Sequence, residues 1–155
     1  MCSPTDLAVL SLHTPFGAPV YHKERVDSTM DEARALACAK AAGGPAGAAG
    51  NPAPHGTVIA ADYQSRGRGR NGRPWFMEAE KNLSFTVILR YPNSAAVPSC
   101  LTLKAGLALS YAVGDFAPSL RDLARIKWPN DLMLIQKDGA GRKAAGILAE
   151  ASGGT

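Results

Sequence analysis

Cysteine is scarce in this sequence: Cys2, Cys38 and Cys100 are odd in number and far apart. They lack the close pairing of a zinc or disulfide framework. This suits reduced thiols in a cytoplasmic protein. Histidine is equally sparse, and His13, His22 and His55 have no metal-ligand spacing. No Ser-His-Asp or Cys-His pattern points to a covalent nucleophile. The short apolar run Leu7 to Leu12 follows no basic residue and lacks the length of a signal peptide. The longest apolar segment, Leu101 to Val113, is too short to span a bilayer and carries Lys104, so no membrane partner is expected. No internal repeat is visible.

What is present is ordinary globular material. Hydrophobic residues make up 46% and charged residues 19% of 155 residues, which is not the composition of a disordered chain. One core is the default for this length. The formal charge of +4, from 17 basic and 13 acidic residues, favours anionic partners without choosing among nucleic acid, nucleotide and a small carboxylate.

Thr29 with Glu32 three residues later has capping-box spacing, and Met30, Ala33, Leu36 and Ala37 then share a face, which predicts a helix from about Ser28 to Ala42. Residues Gly43 to Pro54 are almost all Ala, Gly and Pro, a composition expected to form a surface loop that buries little. Thr57 to Tyr63 reads as a buried strand, and Leu83, Phe85, Val87 and Leu89 alternate as the inner side of a half-buried one. Ser99 to Gly114 is apolar on most sides and predicts a helix packed deep against a sheet. Ile126 to Ile135 is β-prone but broken by Pro129, and Leu132 to Glu150 reads as a hairpin turning at Asp138-Gly139. The sum is an α+β fold, a mixed sheet with helices packed against it.

Between the first two strand patterns, Ser65-Arg66-Gly67-Arg68-Gly69-Arg70-Asn71-Gly72-Arg73 packs four guanidinium groups among glycines. Glycine lets the backbone fold tightly around a ligand. Arginine binds carboxylate and phosphate bidentately and keeps its charge at any relevant pH. A solvated basic loop and an RGG-like RNA-binding tract are the other readings. RNA-binding tracts of that kind are long and disordered, whereas this one is a single short loop followed by Trp75 and Phe76.

Lys127-Trp128-Pro129-Asn130-Asp131 places a cation, an aromatic and two short polar side chains where a strand breaks. A flexible lysine suits a phosphate whose charge shifts during reaction, and an Asn-Asp pair at a bend can meet a metal ion or a ribose, or simply turn the chain. Lys143 opens the last strand pattern and Gly146 sits inside it, marking either a bulge or the close approach of a ligand. Ser28 and Thr29 are explained by helix capping or by ligand contact.

In order and spacing, Asp27-Ser28-Thr29, Tyr63-Gln64, the run Gly67 to Trp75, Lys127 to Asp131 and Lys143 to Glu150 together resemble the biotin protein ligase family, over roughly Tyr21 to Glu150. The resemblance implies the catalytic-domain fold of biotin and lipoate protein ligases, similar to class II aminoacyl-tRNA synthetases. It implies activation of biotin by ATP to biotinyl-5'-adenylate, then transfer of biotin to a lysine of a carboxylase biotin carrier domain. ATP with Mg²⁺ would be co-substrate and metal, and no tightly bound prosthetic group is expected.

By the same resemblance Ser28, Thr29, Gln64, Arg68, Arg70, Lys143 and Gly146 would bind biotin. Arg70, Arg73, Trp75, Asn130 and Asp131 would bind the nucleotide, with Asp131 near the metal. Arg70, Lys127 and Lys143 would be catalytic, acting through position and charge. The family pattern continues past the point matching Thr155, so this chain is expected to be an incomplete catalytic domain that binds biotin weakly and completes no full turnover. No operator-binding domain is expected, and homodimerisation is left open. A lipoate or octanoate ligase shares the architecture but lacks this glycine-arginine loop in this form.

Overall fold

Strand β2, Val20–Val26, carries His22, Lys23, Glu24 and Arg25 in its middle, yet it lies inside a sheet. Lys23 is buried there because its Nζ reaches Glu32 Oε2 at 3.0 Å, which compensates the desolvated charge. In the computed structural model, which describes residues 8–38 and 52–152, β2 is the second strand of a four-stranded sheet ordered β1-β2-β3-β4. The others are β1 (Ala8–Leu10), β3 (Val58–Gln64) and β4 (Ser84–Val87). The β2-β3 pairing is parallel and the other two are antiparallel, so the sheet is mixed as expected.

The crossover between the parallel strands carries helix α1, Thr29–Ala37, which buries Ala33 and Leu36 against β3 and β4. Its N-cap is Ser28, whose Oγ accepts from the Met30 amide. The capping frame is therefore one residue earlier than the Thr29–Glu32 spacing suggests, and Glu32 is engaged by Lys23 instead. The helix is described to Cys38, and most of the expected loop at 43–54 lies outside the described residues.

At its far end Ala53 is 0% exposed and joins Tyr21, Ala33, Leu36, Ile59 and Ile88 in the core. The Ala53 amide donates to Leu36 O and its carbonyl accepts from Arg90 Nε. Position 53 thus belongs to the core and not to a loop that buries little. A small side chain is what the packing there admits.

The pattern at 83–89 is inverted relative to its expected phase. Ser84 and Ile88 are buried, whereas Leu83 is 78% exposed and Phe85, Val87 and Leu89 are also exposed. A shift of one residue exchanges the two faces of a strand, and here the inner face is partly polar.

The chain divides into two compact units, one of residues up to Arg68 with Gly72–Pro92, the other of Gly69–Asn71 with residues from Asn93 on. The second contains helix α2 (Leu101–Phe116) and an antiparallel three-stranded sheet, β5 (Ala124–Lys127), β6 (Asp131–Ile135) and β7 (Gly141–Gly146). The break at Pro129 and the hairpin are as expected. Gly139, at φ +80°, lies in the 136–140 connection, which the Asp138 carboxylate closes by accepting from the Ala140 amide at 2.9 Å.

Helix α2 packs against β5 and β6. Gly114 lets it approach closely there, since a Cβ would lie 3.1–3.3 Å from Arg121 atoms that include its Cα. Deep burial, however, is not found: only Gly106 and Gly114 of this helix are buried, and Tyr111 is 66% exposed. The stretch Ser94–Phe116, with mean hydropathy 1.3, is long and apolar enough to cross a membrane by composition. Cys100, at φ +57°, interrupts it, leaving 16 continuous α-helical residues, or about 24 Å at 1.5 Å per residue.

Candidate active site

In the first unit the site residues gather where α1 begins and β3 ends. Gln64 is the last residue of β3, and its Oε1 accepts from the Thr29 amide at 2.8 Å and from Thr29 Oγ1 at 3.0 Å. Its Nε2 donates to Ser84 Oγ at 2.9 Å and to Met77 Sδ at 3.5 Å. Thr86 Oγ1 donates to Thr29 Oγ1, and Ser84 Oγ to Met77 Sδ. This chain of hydrogen bonds explains the polar inner face of β4: Ser84 and Thr86 face inward because they hold Gln64 and Thr29. A buried network of this kind orders its members only when each is satisfied.

The arginine-glycine loop is tied to the start of α1 by two carboxylates. Asp27 accepts from Ser65 Oγ at 2.6 Å and from Arg66 Nη2. Those two hydrogen bonds, with the guanidinium charge, hold the Asp27 carboxyl below its ordinary range. Arg68 meets Asp31 as a fork, Nη1 to Oδ2 at 3.0 Å and Nη2 to Oδ1 at 2.8 Å, and Nη1 also donates to Ser28 Oγ at 3.3 Å. The Arg68 hydrogen bonds lower the Asp31 pKa in the same sense.

The loop stem closes where the Trp75 amide donates to Gly67 O at 2.9 Å. A Cβ on Gly67 would lie 3.0 Å from Trp75 O and 3.3 Å from Gln64 Nε2, so a side chain there would press on the Trp75 carbonyl and the Gln64 amide. Gln64, Arg68, Trp75 and Met77 line a cleft of about 470 Å³, within the ordinary size of small-molecule sites. Arg73 is exposed and does not line it.

In the second unit, residues from three separate stretches meet at the β5-β6 turn. Arg70 Nη1 donates to Asn130 Oδ1 at 3.3 Å, and Asn130 Nδ2 donates to Ile147 O at 2.9 Å. The Ile147 amide donates in turn to Asn130 O at 2.8 Å. Lys127 and Gly146 are the register partners of Asp131 on either side. Lys143 Nζ lies 2.8 Å from Asp131 Oδ1, while Lys127 and Trp128 are exposed. The Asp131 carboxylate is thus engaged by a lysine, and among the described residues no group of three or more His, Cys, Asp or Glu could hold a metal ion.

The sequence reading named most of these residues but not Asp27 as a partner of the loop, nor Asp31, Met77, Ser84 or Thr86. Ser28 and Asp31 do have the spacing of a capping box, which was the available signal for Asp31. The others are brought in by tertiary pairing that no local pattern marks.

The fold and its motifs define an α+β domain built around an arginine-glycine loop anchored to a helix N-terminus. A family model described as the biotin/lipoate A/B protein ligase family matches residues 49–155, more than half of the chain, and the chain belongs to that family. It is similar to the bifunctional ligase/repressor BirA of Salmonella typhimurium, 37% identical over 100 residues that cover 64% of this chain and 29% of that protein. It is also similar to the biotin–[acetyl-CoA-carboxylase] ligase of Paracoccus denitrificans, 43% identical over 95 residues, 61% of this chain and 37% of that protein. Among solved structures, the biotin protein ligase of Leishmania major in complex with biotin superposes with a TM-score of 0.64 at 30% identity, covering 86% of this chain and 52% of that one. The chain therefore spans well under two thirds of the length of these relatives.

Proposed function

We propose that the chain takes part in ATP-dependent biotinylation: biotin is activated to biotinyl-5'-adenylate and then passed to a lysine of a carboxylase biotin carrier domain. The observation that carries this reading is the meeting of Ser28, Thr29, Gln64 and Arg68 at the start of α1, beside a cleft of small-molecule size. The biotin-named relatives favour biotin over lipoate within the family.

In this reading Ser28, Thr29, Gln64 and Arg68 receive the fused rings, with Gly146 leaving room for the ligand. Arg70 and Lys143 hold the biotin carboxylate and the α-phosphate. The carboxylate oxygen attacks the α-phosphorus and pyrophosphate leaves. The acceptor amine later attacks the carbonyl of the mixed anhydride and AMP leaves. Lys127 offsets charge on the phosphate during attack, which is electrostatic catalysis needing no side-chain nucleophile. Arg73, Trp75, Asn130 and Asp131 serve the nucleotide. A single carboxylate, already paired with Lys143, suits Mg²⁺ that arrives on ATP phosphates rather than an all-protein cage.

Calorimetry of the purified chain with biotin, lipoate and octanoate tests the substrate class, and binding of lipoate in preference to biotin would overturn it. In a catalytic domain completed to the length of its relatives, adenylate formation, read as pyrophosphate release, is expected to fall about a hundredfold or more in Arg70→Ala or Lys143→Ala, the usual loss for one transition-state donor. Release unchanged by both would remove those residues from the reacting centre.

A further inference from the structure

Asp31 is a residue that neither the motifs nor the capping role of α1 accounts for. At the third helical position a carboxylate ordinarily serves the helix, through the dipole or by reaching back to the N-cap amide. Here it turns outward to the loop and takes both arms of the Arg68 guanidinium, at 2.8 and 3.0 Å. A two-point fork fixes the guanidinium plane as well as its position. Arg34 Nη1 lies farther from the same carboxylate, at 3.4 Å from Asp31 Oδ1.

The fork has a consequence at Ser28, which is buried. Its Oγ accepts from the Met30 amide at 3.3 Å and from Arg68 Nη1 at 3.3 Å. A hydroxyl has two acceptor lone pairs and one proton. With both lone pairs occupied by donors, the proton is the remaining arm, and the hydroxyl is set as a donor toward whatever lies beside it. Without the Asp31 carboxylate, the two-point fork that sets the guanidinium plane beside Ser28 is lost.

We propose that Asp31 is a positioning residue for biotin binding: it holds Arg68 against Ser28 so that the Ser28 hydroxyl is presented as a hydrogen-bond donor to a ligand carbonyl, such as the ureido oxygen of biotin. The proposal rests on the biotin-site reading above. Asp31 itself touches no ligand and acts through Arg68. The neighbouring Asp27 clamp on Ser65 and Arg66 holds the strand end, so removing Asp31 leaves the loop attached at its base.

The test is calorimetric biotin affinity of the 155-residue chain and of Asp31→Asn, Arg68→Lys and the double variant, with urea midpoints for each. Arg68→Lys keeps the charge and removes the fork. Each single variant is expected to bind biotin about tenfold or more weakly, with the midpoint within about a tenth of the parent value. The double variant should be no weaker than Arg68→Lys alone, because Asp31 acts only through Arg68. Asp31→Asn binding as tightly as the parent chain would overturn the proposal while leaving the site reading intact. Losses that add in the double variant and follow a falling midpoint would show that Asp31 serves only helix stability, and also overturn it. A parent chain with no affinity for biotin would remove the site reading and the role of Asp31 with it.

Discussion

Gln64 commits both ends of its amide to the protein. The backbone N–H of Thr29 can only donate, so the Gln64 oxygen must face it, and the amide nitrogen is then left to Ser84 and Met77. A ligand at this position meets an amide whose orientation is already decided. The two carboxylates that anchor the loop, Asp27 and Asp31, bear on acid stability. Hydrogen bonds from Ser65 and then Arg66 lower the Asp27 pKa, and those from Arg68 lower the Asp31 pKa, each from an ordinary 3.8. A group whose folded pKa is depressed contributes stability that is fully present above its unfolded pKa and is lost as pH falls through the folded value. The urea midpoint should therefore be unaffected by these two groups above about pH 5 and should decline as pH falls below about 4, where unfolded carboxylates begin to take up protons ahead of the folded ones. Asp31→Asn should flatten that decline. A profile identical in the variant would show that the Arg68 fork contributes nothing to folding.

At the scale of elements, packing at Ala53 makes a sharp case. Its side chain is fully enclosed by Tyr21, Leu36, Ile59 and their neighbours, and its amide and carbonyl are both hydrogen-bonded. Ala53→Leu is expected to destabilise by about 1–3 kcal/mol through overpacking, read as a lowered urea midpoint. An unchanged midpoint would mean that the site yields. Nothing in the composition around Ala53 distinguishes it from its Ala, Gly and Pro neighbours, so its burial could not be read from the sequence. Elements whose signal is local were legible: β3 from its apolar run, the β5-β6 break from Pro129, the β6-β7 hairpin from Asp138-Gly139. Those set by long-range contacts were not. The charged middle of β2 conceals a buried Lys23 that only Glu32 makes tolerable. The inner face of β4 is polar because Ser84 and Thr86 serve Gln64 and Thr29, and an argument from hydrophobic alternation selects the wrong face for that reason. The apolar character of α2 implied burial that the described residues do not supply. The candidate site divides similarly: Ser28, Gln64, Arg68, Arg70, Asn130 and Lys143 stand in recognisable motifs, whereas Asp31 gains its meaning from the arginine 37 positions away.

For the molecule as a whole, the decisive quantity is how much of its positive charge is available. The formal charge is +4, and a loop with four arginines would by count alone be a nucleic-acid binder. The geometry reduces that availability. Arg66 is paired with Asp27 and Arg68 with Asp31 in one unit, while in the other Lys143 is paired with Asp131 and Arg70 is held by Asn130. Arg66, Arg68 and Lys143 would each have to leave a carboxylate before replacing a counterion on a phosphate, so they add little to the polyelectrolyte effect. Binding to a single-stranded oligouridylate, followed by fluorescence anisotropy from 50 to 200 mM salt, should be no tighter than about 10⁻⁴ M at physiological salt, the weak end of non-specific association. The logarithmic salt slope should be no steeper than about −1, corresponding to one or two neutralised phosphates on a single strand. Submicromolar binding with a slope of about −3 or steeper, together with indifference to biotin, would show that the arginines serve RNA. A shallow slope is the result expected where Arg66 and Arg68 are held by carboxylates and Arg70 by the Asn130 amide.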